Sequence, residues 1–139
     1  MSRYLIAAGI AVVALALAAL VQRRRPDAPT QGRTKFNVPG QIDREDFLRP
    51  DIPQIVVVFS SSTCNVCSQV IDAAMKFASR LVVVQNVEYS TERALHERYA
   101  IDAVPTVLVA DHLGVVTAGF TGPTTQADLA AALAPAQER

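Results

Sequence analysis

The sequence contains little cysteine, no tryptophan and no excess of charge of either sign. Of its 139 residues only two are cysteine, and the formal net charge at pH 7 is zero. Nucleic-acid binding needs a basic patch, so we expect no nucleic-acid partner. A closed zinc site needs four Cys or His ligands, and besides the cysteines the chain offers only His96 and His112. We therefore expect no metal and no other cofactor, with zinc shared between two chains as the alternative.

The two cysteines, Cys64 and Cys67, lie three residues apart between an apolar run and a helix-like segment. At the start of a helix, unpaired backbone N–H groups and the positive end of the helix dipole stabilise an anion. This position favours the thiolate form of Cys64 and predicts a redox-active pair. Two other interpretations stay open at this point. The pair could be half of a zinc site, or two small buried side chains without chemistry.

The N-terminus carries an uncharged run from Leu5 to Val21 that is followed by Arg23, Arg24 and Arg25. About 17 residues make roughly 26 Å of helix, near the lower limit for crossing a bilayer. A cleaved signal has its basic residues before the apolar stretch, whereas here they follow it. The order predicts a retained transmembrane helix, with a cleaved signal or an interfacial segment as alternatives.

The flanking charges predict the orientation of this anchor. Positive residues are more numerous after the span than before it, and they favour the cytoplasmic side. We therefore expect a single-pass membrane protein whose domain faces the cytoplasm, with an extracytoplasmic domain as the alternative. The predicted organisation is an anchor with its basic flank at 1–25, a flexible linker at 26–37 and one domain at 38–139.

Apolar periodicity in the domain predicts alternating strands and helices. A continuous apolar run predicts a central strand before the cysteines, and the spacing after them predicts an amphipathic helix that leads into a second, parallel strand. The cysteines then lie at the carboxyl end of the first strand, where active sites of open α/β sheets cluster. The predicted order is a short turn at 43–48, strand 54–60, a helix to about 80, strand 81–87, a helix at 91–99 capped by Thr91, a hairpin of strands 107–109 and 115–118, and a helix carrying Leu129 and Leu133 capped by Thr124 or Thr125.

This order, together with two motifs, resembles the thioredoxin-like superfamily over roughly Val38 to Ala134. The motifs are Cys64-Asn65-Val66-Cys67 after the apolar strand and the stretch that ends in Val104-Pro105-Thr106. The resemblance implies an α/β thioredoxin-like fold, in which a central mixed sheet is flanked by helices and preceded here by the transmembrane helix. It also implies a cis Val104–Pro105 bond in a loop that faces the cysteines.

The resemblance further assigns roles to residues of the site. Cys64 and Cys67 are the expected catalytic pair, with Cys64 as the nucleophile and Cys67 as the resolving thiol. Thr63, Val104 and Pro105 are the expected substrate-binding residues, and protein disulfides or thiols are the expected substrates. Membrane-anchored thioredoxin-like proteins of bacteria are similar in organisation, so the sequence predicts a membrane-tethered thiol–disulfide oxidoreductase.

Three departures from the thioredoxin pattern affect this expectation. Thr63 replaces the usual Trp, Asn65-Val66 replaces Gly-Pro, and Val58 stands where thioredoxins carry a buried Asp that assists proton transfer at the second cysteine. The resemblance therefore implies slower turnover than in thioredoxin. The alternatives are a non-catalytic binding module, a redox sensor or a module that binds a soft metal through the thiols.

Overall fold

The structure, a computed structural model, describes residues 36–134. The predicted membrane anchor at 1–25 and nearly all of the predicted linker lie outside these residues. Among the residues that are described, no helix is long and apolar enough to cross a bilayer.

Strands and helices follow one another in the predicted order. A 3₁₀ turn over Arg44–Asp46 comes first, and the buried side chains of Ile42 and Phe47 flank it. The elements after it are β1 (Gln54–Ser60), α1 (Cys67–Met75), β2 (Val82–Glu88), α2 (Arg93–Arg98), β3 (Thr106–Ala110), β4 (Val116–Thr121) and α3 (Gln126–Leu133).

The four strands form one mixed sheet in the order β2-β1-β3-β4. β1 pairs in parallel with β2 and antiparallel with β3, and β3 forms an antiparallel hairpin with β4. All seven residues of β1 are buried, because apolar clusters cover both faces of the sheet. Val56 and Val58 face the cluster that contains Val70 and Leu129 of the helices, which confirms the prediction of a central strand followed by an amphipathic helix.

The first helix ends at Met75, whereas the apolar spacing predicted an end near residue 80. The amides of Phe77 and Ala78 bond to carbonyls three residues back, at 2.9 and 3.2 Å, which tightens the chain out of the α-helix. The Ser79 amide then bonds to the Val82 carbonyl at 2.9 Å. The chain therefore turns directly into β2, and the apolar Phe77 packs against the core from this turn.

The sequence predicted N-cap residues for both α2 and α3, and the structure confirms only the cap of α3. Thr91 does not cap α2, since its hydroxyl donates to the Glu88 carbonyl at 3.3 Å and Glu92 is the N-cap residue. Thr125 does cap α3, as one of the two predicted candidates. Its side chain accepts from the Asp128 amide while the Asp128 carboxylate accepts from the Thr125 amide, which is a capping box.

Candidate active site

The cysteines lie at the edge of the sheet where β1 and β2 end and β3 begins. Ser60 and Glu88 are register partners at the ends of the two parallel strands. On the other side of β1, Phe59 is paired with Thr106, the first residue of β3. The chain after β1 and the chain before β3 therefore emerge at the same edge, which brings the two predicted site motifs together.

Cys64 and Cys67 form a disulfide, with 5.5 Å between their Cα atoms. Cys67 is the first residue of α1 and is only 2% exposed, whereas Cys64 lies in the preceding turn and is half-buried. The sequence predicted both sulfurs at the first turn of the helix. The Cys64 backbone lies before the helix, but the disulfide holds its sulfur against that of the first helical residue. The helix N-terminus can therefore stabilise a thiolate there.

The turn before Cys64 is closed by hydrogen bonds within the chain. The Cys64 amide donates to the Ser61 carbonyl at 3.1 Å, and the hydroxyls of Ser61 and Thr63 lie 3.1 Å apart. Thr63, a predicted substrate-binding residue, is exposed. Its side chain therefore lies at the surface directly beside the more accessible cysteine.

The peptide bond between Val104 and Pro105 is cis, as the resemblance implied. Val104 is half-buried and Pro105 is buried. Hydrogen bonds hold this loop at both sides, since the Thr106 hydroxyl donates to the Ala103 carbonyl and the Gly122 amide donates to the Pro105 carbonyl, each at 2.8 Å. The loop is therefore fixed to β3 and to the end of β4, at the cysteine edge of the sheet.

Sequence reasoning missed Glu88, whose carboxylate lies at the end of β2. It accepts hydrogen bonds from the Ser62 amide at 3.0 Å, the Ser90 amide at 2.9 Å and the Thr91 amide at 3.2 Å, and also from the Ser90 hydroxyl. The hydrogen bond from the Ser90 side chain is the largest of the effects that lower the pKa of this carboxyl. Its position in the sequence could have indicated it, because Glu88 directly follows the predicted strand 81–87, at the edge of the sheet where active sites cluster.

The two histidines do not join the cysteines. His96 is buried, with Nε2 3.0 Å from the Val87 carbonyl and its ring packed edge-on against Phe59 and Tyr89. His112 lies in the turn between β3 and β4, as predicted. Within residues 36–134, no three or more His, Cys, Asp or Glu side chains are grouped as a metal site would require.

The site thus combines a half-buried cysteine bonded to a buried one at a strand-to-helix junction with a cis-proline loop at the same edge of an α/β sheet. The thioredoxin family model matches residues 43–135. The chain belongs to the thioredoxin family.

Several solved structures are similar to this chain. A protein described as a malarial protein has a TM-score of 0.53 at 19% identity, covering 60% of this chain and 96% of its own. The germline-specific thioredoxin Deadhead of Drosophila melanogaster has a TM-score of 0.54 at 24% identity, covering 62% of this chain and 83% of its own. StoA of Bacillus subtilis has a TM-score of 0.47 at 16% identity, covering 58% of this chain and 81% of its own. At their identities, the malarial protein and Deadhead show the fold alone. A search of curated protein sequences found no match.

Proposed function

We propose that this protein is a membrane-tethered thiol–disulfide oxidoreductase that acts as a reductase, with Cys64 as the nucleophile and Cys67 as the resolving thiol. The observation that carries the proposal is the unequal burial of the two bonded cysteines, one half-buried and one 2% exposed. A substrate disulfide can therefore approach the first cysteine more readily than the second. Membership of the thioredoxin family supports the same assignment.

The proposed reaction consists of two thiol–disulfide exchanges. In the reduced protein the Cys64 thiolate attacks one sulfur of a substrate disulfide, which forms a mixed disulfide and releases the other substrate sulfur as a thiolate. The Cys67 thiol loses its proton and attacks the Cys64 sulfur. This step closes the Cys64–Cys67 bond and releases the second substrate thiolate, which is protonated. Two electrons pass from the protein dithiol to the substrate.

Substrate contact is proposed for three residues around the disulfide. Thr63 is exposed directly before Cys64, and Val104 and Pro105 lie in the loop at the same edge of the sheet. An extended substrate segment can pair with the backbone around Val104, as strands pair with an exposed edge. Such pairing would fix the substrate disulfide against the Cys64 sulfur.

The membrane tether and its orientation are part of the proposal. The uncharged run from Leu5 to Val21 supports an anchor, and the basic residues that follow it support a domain on the cytoplasmic side. In that reducing compartment the pair rests as a dithiol, which is the form that a reductase needs.

A trapping experiment tests the roles of the cysteines. Full-length Cys67→Ser protein, reduced and then exposed to oxidised glutathione, should retain one glutathione per chain by mass spectrometry, because the resolving thiol is missing. The matched variant Cys64→Ser should react at least about tenfold more slowly, because its remaining thiol is buried. Equal trapping by both variants, or no reduction of a disulfide by the wild-type protein, would contradict the proposal.

A further inference from the structure

The carboxylate of Glu88 joins the two loops that emerge beside the disulfide. One oxygen accepts from the Ser62 amide at 3.0 Å, two residues before Cys64. The other accepts from the amides of Ser90 and Thr91, in the connection between β2 and α2, and from the Ser90 hydroxyl. One side chain therefore links the cysteine turn to the neighbouring connection.

The link matters because the other hydrogen bonds of the cysteine turn stay within the turn. The hydroxyls of Ser61 and Thr63 bond to each other, and the Cys64 amide bonds back to the Ser61 carbonyl. Among the hydrogen bonds of residues 36–134, the bond from Ser62 to Glu88 is the one that ties residues 61–63 to another element. These residues lead directly to the accessible sulfur, so their placement decides where that sulfur lies.

We propose that Glu88 is a positioning residue of the dithiol site, whose carboxylate holds the turn before Cys64 against the connection between β2 and α2. This inference rests on the proposed function, since it concerns the nucleophile of that reaction. Glu88 acts through the Ser62 amide and does not itself exchange with the substrate. Hydrogen bonds from Ser90, Ser62 and Thr91 keep the pKa of this carboxyl below its ordinary value, so it is ionised at neutral pH.

Positioning and charge make opposite predictions for the rate of exchange. Removing a negative charge near a thiol favours the thiolate and raises the nucleophilic fraction at neutral pH. Removing the acceptor of the Ser62 amide frees the turn and misplaces the sulfur, which slows the reaction. The rates are therefore compared at a pH below the Cys64 pKa, found from a pH profile, because there the thiolate fraction limits the reaction and a slower variant cannot be explained by the lost charge.

The experiment measures how fast the reduced full-length protein reacts with hydroxyethyl disulfide, a small probe that needs no peptide-binding surface. Glu88→Ala should react at least about threefold more slowly than wild type, although the charge has been removed. Glu88→Gln keeps one acceptor oxygen of the same reach and should recover part of the rate. Glu92→Gln removes a carboxylate from the same connection without touching the Ser62 amide, and it should react as wild type does.

Each outcome bears on the proposal. A Glu88→Ala rate equal to or above the wild-type rate overturns it, as does an equal loss in Glu92→Gln. If Glu88→Ala does not fold, Glu88→Met decides, because it has a similar length but no acceptor oxygen for the Ser62 amide, and a rate equal to that of Glu92→Gln then overturns the inference. A wild-type protein that does not react with the probe would instead refute the proposed function, so the two failures are distinguishable.

Discussion

Gly114 closes the turn between β3 and β4 in a backbone conformation that other residues rarely adopt. Its φ is +79°, and a Cβ atom there would lie 2.0 Å from the Ile42 carbonyl oxygen. That oxygen belongs to the backbone of the segment packed beside the turn, and the Ile42 amide bonds to the Gly114 carbonyl at 2.8 Å. Both the φ angle and the close approach therefore require glycine.

Gly114→Ala should lower the free energy of unfolding by more than about 2 kcal/mol, since strain at positive φ adds to a backbone clash. Two matched variants separate these causes. Gly122 has φ +90° but open space around it, so Gly122→Ala should show the strain alone, and Gly40→Ala should be nearly neutral because neither cause applies. Chemical denaturation of the three variants measures this order, and a Gly114→Ala effect no larger than that of Gly122→Ala would contradict the clash.

Val58 is a second residue whose identity bears on a prediction, here the rate of the proposed exchange reaction. It is fully buried among apolar side chains of β1, α1 and α3, at the position where thioredoxins carry an Asp. In the proposed reaction, the Cys67 thiol would therefore have to give its proton to solvent or to the substrate in the second exchange.

We expect the protein to reduce insulin disulfides more slowly than a thioredoxin that has the buried Asp, measured with the same reductant and concentration. Val58→Asp should raise the rate relative to Val58→Asn, which has a similar size and polarity but cannot accept the proton in this way. Both variants should lose stability, because each buries a polar group in an apolar cluster. A wild-type rate equal to that of thioredoxin would show that the Asp is not needed here.

At the scale of elements, apolar patterning predicted most of the fold but not its polar connections. The run 54–60 predicted β1 because both faces of a central strand need apolar side chains, and the spacing of the cysteines predicted that the pair lies at the start of a helix. Polar links depend on distant partners that no local pattern encodes. Glu88 is one such link, and buried Arg44 is another, since its guanidinium donates to the carbonyls of Ile52, Asp111 and Arg49.

The capping box of α3 makes the stability of this element depend on pH. Hydrogen bonds from the Thr125 hydroxyl and amide lower the pKa of Asp128 below its ordinary value. A carboxyl whose pKa is lowered in the folded state stabilises the fold above its unfolded pKa, about 3.9 for Asp, and this contribution is lost as the pH falls through the folded pKa.

Asp128→Asn should therefore be less stable than wild type near pH 6, and the difference should shrink as the pH falls below about 4. Denaturant unfolding at a series of pH values measures the difference. The matched control is the same substitution in a Thr125→Ala background, where the main donor is absent and the pH-dependent difference should be smaller. A difference that is constant with pH would show that the charge of Asp128 does not contribute.

At the scale of the molecule, the side of the membrane on which the proposed anchor places the domain determines whether the cysteine pair rests as a dithiol or as a disulfide. In the proposed orientation, which rests on the charges that flank the uncharged run, the domain is cytoplasmic and its cysteine pair is kept reduced. An extracytoplasmic domain would instead rest as the disulfide and would need electrons from the membrane. Because Cys64 and Cys67 are the only cysteines of the chain, their labelling in cells reports both topology and resting redox state.

We expect a membrane-impermeant maleimide to label the wild-type protein only after cell lysis, and without prior reduction. Met75 is 51% exposed at the end of α1, so Met75→Cys in a chain with both native cysteines changed to Ser should report topology without the redox state. Labelling of this variant in intact cells would place the domain outside. If wild-type labelling in intact cells then also required prior reduction, the cysteines would rest as an external disulfide, and disulfide exchange in the cell envelope would replace cytoplasmic reduction as the function.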